Sequence, residues 1–218
     1  MSNLSFYSGF NCPSCSQFLQ PKYESCKWIT CPGCGSCINK EVPAEFIPGA
    51  LPPEDLSVLQ PGTKGKWKEK TFGLTGRIRY VFEDESYMNW WHLESGGSSF
   101  GWLADAYAEL SIFNRIDLNV GMGVIESLRS GQELRTEKGN FTLSSYSKSA
   151  GWTIEGELPE IPGDKPFIWM ELDRDAPETS LLCIQIFDRT NFYSFIGTEL
   201  SIESAQMTNY RKADGWNS

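Results

Sequence analysis

The chain of 218 residues carries a formal charge of −9, so its surface repels phosphate backbones and any nucleic-acid contact starts at an electrostatic disadvantage. Eight Trp, eight Tyr and thirteen Phe, with twenty Gly and twelve Pro, favour many short strands and turns over a helical bundle. The longest apolar run, Leu181 to Phe187, is interrupted by Gln185 and falls far short of the roughly 20 residues that a membrane helix needs.

The opening residues, Met1 to Tyr7, lack the basic and then apolar pattern of a secretory signal, which leads us to expect a soluble, cytoplasmic protein. In a reducing compartment, cysteines serve as metal ligands or buried thiols rather than disulfides. Six of the seven fall between residues 12 and 37. Cys12-Pro-Ser-Cys15 and Cys31-Pro-Gly-Cys34 have the spacing of a four-thiolate zinc site. Each C-x2-C turn aims two sulfurs at one point, and two such turns complete a tetrahedron. Pro13 and Pro32 pre-set the turns, and Gly33 and Gly35 permit positive φ. The segment resembles a zinc ribbon, with Ser16 where the first knuckle would usually carry glycine. Four thiolates close the coordination shell, so the expected Zn2+ is structural. Cys37 forms an alternative C-x2-C with Cys34, and either Cys26 or Cys37 could replace a ligand. Cys183, within the apolar run, reads as a buried thiol.

Residues 1–40 are therefore expected to form the ribbon, and the proline-rich residues 41–61 a linker or an extended strap, with a helical turn at Glu54 to Leu56. From Gly62 the pattern alternates. Lys64, Lys66, Lys68 and Lys70 would share one face of a single strand, a candidate contact for an anionic lipid surface, a phosphate backbone or an acidic protein. Leu74 to Tyr80 alternates apolar with polar. Asn89 to Leu93, Phe100 to Leu103 and Ala108 to Ile116 read as further strands, with a turn at Ser95-Gly-Gly-Ser. Beyond Gly121 the pattern recurs. Gly62, Phe72 and Leu74 are echoed by Gly131, Phe141 and Leu143, and Trp90 to Glu94 has a loose counterpart in Ile168 to Leu172. We expect an antiparallel barrel- or sandwich-like main domain built from two tandem β units, 62–120 and 121–218.

The Pro61-Gly62 opening, the strands Phe72 to Tyr80, Trp90 to Leu93 and Gly101 to Leu103, and the later segments Gly156 to Pro159, Met170 to Asp173 and Phe195 to Gly197 resemble the domain of unknown function 4178 over about residues 58–202. That resemblance implies a bacterial cytoplasmic protein with an N-terminal cysteine-rich ribbon and an accessory role beside membrane-stress proteins. The family's aromatic strand commonly carries an acidic residue where this chain has Asn89 or Trp90.

His92 is the one histidine, set among aromatics, and reads as a half-buried structural residue. Glu83, Asp84 and Glu85 share a turn, while Glu171, Asp173 and Asp175 alternate as a conceivable divalent-cation site. No nucleophile elbow, phosphate loop, dinucleotide fingerprint or metalloprotease motif is present. The sequence thus points to a non-enzymatic interaction or assembly module with protein partners. Nucleic-acid binding through the ribbon and the lysine face is the alternative, and peripheral membrane contact a further one.

Overall fold

The computed structural model describes residues 9–53, 57–106, 109–163, 165–174 and 180–211. Five short strands come first: β1 (Phe10–Asn11), β2 (Phe18–Leu19), β3 (Trp28–Thr30), β4 (Cys37–Asn39) and β5 (Phe46–Ile47). Ten longer ones follow in two runs of five. The first run is β6 (Lys64–Trp67), β7 (Lys70–Phe82), β8 (Tyr87–Ser95), β9 (Ser98–Ala106) and β10 (Glu109–Ile116). After a short helix α1 (Met122–Ser127) come β11 (Glu133–Thr136), β12 (Gly139–Leu158), β13 (Ile168–Asp173), β14 (Leu181–Asp188) and β15 (Asn191–Leu200). Glu54 to Leu56, Ala108 and Asp175 lie outside the described residues.

All pairing is antiparallel, and eight strands close on themselves in the order β7-β8-β9-β10-β15-β14-β13-β12, with β12 returning to β7. Closure depends on β12, which is 20 residues long. Its first half pairs with β13 (Thr142↔Asp173 to Lys148↔Ile168) and its second half with β7 (Ser149↔Phe82 to Gly156↔Gly76). The last two residues, Glu157 and Leu158, pair with β3, so the cysteine-bearing segment continues the same sheet.

The two runs repeat one plan. The Gly62 N–H donates to the Leu74 carbonyl at 2.7 Å, and the Gly131 N–H to the Leu143 carbonyl at 2.8 Å. Leu74 N–H donates in turn to Thr63 O (2.8 Å), as Leu143 N–H does to Gln132 O (2.9 Å). A β-bulge follows each leucine, between Leu74 and Gly76 and between Leu143 and Ser145. Following the registers around the ring, Trp90 and Ala104 occupy the places of Trp169 and Gln185. Trp102 and Phe113 likewise occupy the places of Cys183 and Phe195. The β10–β15 pairing is centred on Asn114↔Ile196, two equivalent positions, so a pseudo-two-fold axis passes through the seam.

Alternation on the strands sends one set of side chains into the ring. There Trp90 meets Trp169 edge to face at 5.1 Å, with Phe113 at 5.0 Å and Phe195 at 5.3 Å. Both axis-related pairs thus meet at the centre. Outside the ring, each half carries its own apolar cluster. Phe72, Leu74, Trp91 and Leu93 pack under Val58, Leu59, Ala205 and Met207. Their counterparts Phe141, Leu143, Met170 and Leu172 pack under Ile125 and Leu128. Residues 41–61 contribute β5, which pairs with β4, and Val58 and Leu59 to the first of these clusters.

The lysines do not share one strand face. Lys64 and Lys66 lie on β6, Lys68 sits in the turn with Glu69 (φ 45° and 64°), and Lys70 opens β7 opposite Trp67. Two consecutive positive φ values make this a tight hairpin turn, and reversing the chain splits the lysine face. Lys66 pairs with Glu69 at 2.9 Å, Lys68 lies 4.4 Å over Trp67, and Lys70 lies 5.6 Å over Phe100.

Gly76 and Gly156 oppose one another where β7 meets β12. A methyl group on Gly76 would overlap the backbone of Glu155 and Glu157, and neither strand can retreat without opening the ring. Gly76→Ala is expected to lower the unfolding free energy by about 2–3 kcal/mol. Gly121→Ala, where the added atom meets nothing within 4 Å, should stay within about 0.5 kcal/mol of wild type. Urea denaturation of the two variants checks the comparison.

Candidate metal centre

Four sulfurs, of Cys12, Cys15, Cys31 and Cys34, lie within 4.8 Å of one another. Cys12 Sγ is 3.6 Å from Cys34 Sγ, and Cys15 Sγ is 3.6 Å from Cys31 Sγ. A tetrahedral zinc–thiolate site with bonds of about 2.3 Å has edges of about 3.8 Å, so the cage is the right size for one such ion. The backbone explains the convergence. Cys12 N–H bonds to Gln17 O and Ser16 N–H to Cys12 O, both at 2.8 Å. Cys31 N–H bonds to Ser36 O at 2.8 Å and Gly35 N–H to Cys31 O at 2.9 Å. These are two copies of one turn, and its fifth residue takes positive φ in each: 63° at Ser16 and 72° at Gly35. Within the cluster the Ser36 hydroxyl and amide hold the Cys34 thiol down to about 6, while, against a lowering backbone hydrogen bond from Gln17, burial and the neighbouring sulfurs push the Cys15 thiol up to about 12.

Cys37 and Cys26 stand apart from this cluster. Cys37, on β4, is fully buried against the ring core, and burial pushes its thiol up to about 12. The register Thr30↔Cys37 turns it away from the four sulfurs. Cys26 is buried beneath the cysteine-bearing segment, with Thr75 Oγ1 at 3.6 Å and His92 Nδ1 at 3.9 Å. Cys183 is buried as expected.

The cysteine-bearing segment itself buries little, chiefly Leu19, Ile29 and Ile38 beside the cysteines, too small a core to hold without a cross-link. It is moored to the ring through Glu157. That carboxylate accepts from Lys22 N–H (2.8 Å) and Tyr23 N–H (3.3 Å) and pairs with Lys40 Nζ at 3.2 Å. Both side chains are almost wholly buried, and Lys40 Nζ also donates to Tyr23 O at 2.7 Å. A buried pair survives because both charges find hydrogen-bond partners, and removing either would strand the other.

Behind the mooring lies His92, completely buried. The bulge turns Thr75 inward, and its hydroxyl donates to Glu157 O at 2.7 Å. With that proton committed, Thr75 Oγ1 accepts from His92 Nδ1–H at 2.8 Å, leaving Nε2 to accept from the Ser99 hydroxyl at 2.9 Å. Burial lowers the imidazole to about 4. No sequence signal flagged a second polar cluster. Arg77 and Arg79, buried on the outer face of β7, both donate to Asn89 Oδ1, at 2.9 and 3.1 Å. Arg77 also pairs with Glu155 at 2.9 Å, and Arg79 donates to Pro53 O at 2.9 Å. Glu171 and Asp173 lie at one mouth of the ring, where Glu171 accepts from Ser145 and Trp169 at 3.0 Å each.

No protein-family model matches the chain, and no curated protein or solved structure matches it significantly.

Two predictions follow from this geometry. Ser16 is exposed and held in a backbone region that suits glycine. Ser16→Gly should therefore raise the melting midpoint of the metal-loaded protein, by about 0.5–1 kcal/mol in free energy. His92 titrates lower in the fold than its ordinary 6.5, so between about pH 4 and 6.5 the unfolded chain binds more protons. Stability is therefore full above that window and is lost as pH falls through it. Urea midpoints should show a loss of about 2 kcal/mol between pH 7 and pH 5, a slope that His92→Gln should largely abolish.

Proposed function

We propose that this chain is a zinc-stapled interaction module, in which one structural Zn2+ on Cys12, Cys15, Cys31 and Cys34 fixes the ribbon's own geometry and so shapes a docking cleft where the ribbon meets the β ring. One observation carries the reading: the four-sulfur cage joins the two halves of the ribbon, and the ribbon's β3 is hydrogen-bonded in register to β12 of the ring. Closed thiolate coordination leaves the ion no open position for a substrate. Between ribbon and ring runs a groove of about 600 Å³, with Phe18, Leu19 and Pro32 on the ribbon side, Leu51 against Gly35 of the second turn, and Pro61 against Gly156 on the ring side. Phe18 is 58% and Leu51 42% exposed at its rim, apolar surface of the kind that interfaces use. The partner is a protein met in the cytoplasm. The resemblance to the domain of unknown function 4178 favours an accessory role of this kind, beside a bacterial membrane-stress system. The nucleic-acid alternative loses support from the split lysines and the net charge of −9.

Metal analysis of the purified chain should give one zinc per molecule, and Cys31→Ser should release it. Affinity capture with wild type should recover a stoichiometric protein partner that both Phe18→Glu and Cys31→Ser lose, while far-ultraviolet circular dichroism shows the ring intact. Iron or no metal would remove the staple. Failure to recover any stoichiometric partner would remove the docking role.

A further inference from the structure

The pseudo-two-fold axis gives the ring two equivalent mouths, and the sequence has made them different. At one, Ala104, Ser111, Ser147 and Cys183 line a cavity of about 480 Å³. At the other, the equivalent places are taken by Gln185, Tyr193, Ile78 and Trp102. Small side chains thus keep the first mouth open down to Trp169 and Phe113 at the centre. Alternation from those two rings puts Glu109, Glu171 and Asp173 on the inner face, and alternation from Phe195 adds Glu199. No lysine or arginine is among the described residues that line this cavity. Glu171 is held by two neutral donors, Ser145 and Trp169. Glu109, Asp173 and Glu199 have no hydrogen bond or ion pair with any described residue.

Rim carboxylates alone would be satisfied by water, but Ser111 lies deeper. It is more than nine-tenths buried (9% exposed), and it lines the cavity with no hydrogen-bond partner for its hydroxyl among the described residues. A buried hydroxyl without a partner is destabilising, and Tyr193 in the equivalent place shows that the fold does not require a serine here. Ser111 pairs with Glu199 in the register of β10 with β15. The two side chains are therefore neighbours on one face, with Cβ atoms about 5 Å apart. A hydroxyl oxygen and a carboxylate so placed can accept two N–H groups of one ammonium ion, which carries three. Burial, reinforced by Glu171 and Asp173, also pushes the Cys183 thiol well above its usual range. Surroundings that oppose a thiolate favour a cation.

We infer that the Ser111 mouth binds a primary alkylammonium ion. Its head donates to Ser111 Oγ and to the Glu199 carboxylate, with Glu109 and Asp173 adding to the attraction. Its hydrocarbon tail runs inward past Ala104 and Cys183 to Trp169 and Phe113. A single charge follows from the order of groups along the wall, which passes from carboxylates through a hydroxyl to aromatic carbon.

The test uses the full-length, metal-loaded chain and three probes that share one tail: hexylammonium, 1-hexanol and hexanoate. Hexylammonium should bind saturably, and more weakly as salt is raised. In ¹H–¹⁵N spectra it should shift the indole N–H of Trp169, which is bonded to Glu171 in this mouth, and leave that of Trp102, at the other mouth, in place. 1-Hexanol should bind about tenfold more weakly, for want of charge-assisted hydrogen bonds, and hexanoate not at all. Ser111→Ala should weaken hexylammonium about tenfold, the worth of one hydrogen bond to a charged group. The same variant should keep its melting temperature, because the hydroxyl has no protein partner to lose. Glu199→Gln should weaken hexylammonium and spare 1-hexanol. Any of five results would overturn the inference: no saturable hexylammonium binding, with or without a response to calcium ions; equal affinity for 1-hexanol; shifts confined to Trp102; unchanged hexylammonium affinity in Ser111→Ala; or a lowered melting temperature in that variant.

Discussion

Everything in this structure depends on the pairing of β12 with β7. Without it the ten longer strands would form an open, twisted ribbon with two unpaired edges, and long unpaired edges aggregate. With it the ring has no edge among its eight members. The pairing is close because glycine faces glycine at one end, and it is long because β12 supplies enough residues to serve two neighbours in succession. The strand then carries Glu157 out of the ring and into the ribbon, where the carboxylate collects two backbone amides and one ammonium group. One strand therefore closes the barrel and anchors the appendage.

The four-cysteine cluster and the mooring divide the labour of holding a segment with almost no core of its own. The cysteines gather the two turns of the segment, and the Lys40–Glu157 pair fixes where it sits. Each buried charge is tolerable because its hydrogen-bonding capacity is met locally. The same economy appears at Thr75, whose bulge position lets one hydroxyl serve Glu157, His92 and Cys26 at once.

Legibility in the sequence followed the range of the interactions. The clustering of the four cysteines could be read because their spacing is a local property of two turns, and Ser16 stood out because a turn has a fixed place for positive φ. The repeat was visible in Gly62, Phe72 and Leu74 against Gly131, Phe141 and Leu143, since a bulge and its flanking turn demand the same residues twice. The lysine stretch misled because strict alternation suits a strand and a hairpin equally until the turn is placed, and Lys68-Glu69 lacks the glycine or asparagine that marks such turns. Arg77 and Arg79 were hidden for a different reason. Alternation assigns them to an outer face, and no local pattern says that the Pro53 carbonyl will come to lie against that face. The divergence of the two mouths was likewise unreadable, because Gln185 and Ala104 become equivalents only once the registers around the ring are known.

A hydrogen-bonded circle has a cost in time. Its closing pairs join residues far apart in the chain, so most of the entropy of looping must be surrendered before the last seam contributes any stability. Topologies of this kind assemble in milliseconds to seconds rather than microseconds. Until closure, the facing edges of β7 and β12 are open to a neighbouring molecule. The seams β7–β12 and β10–β15 both join the first run of strands to the second, so a nascent chain can also pair its first half with the second half of another copy. Crowded synthesis would therefore favour exchanged dimers, and dilution would favour the self-contained ring.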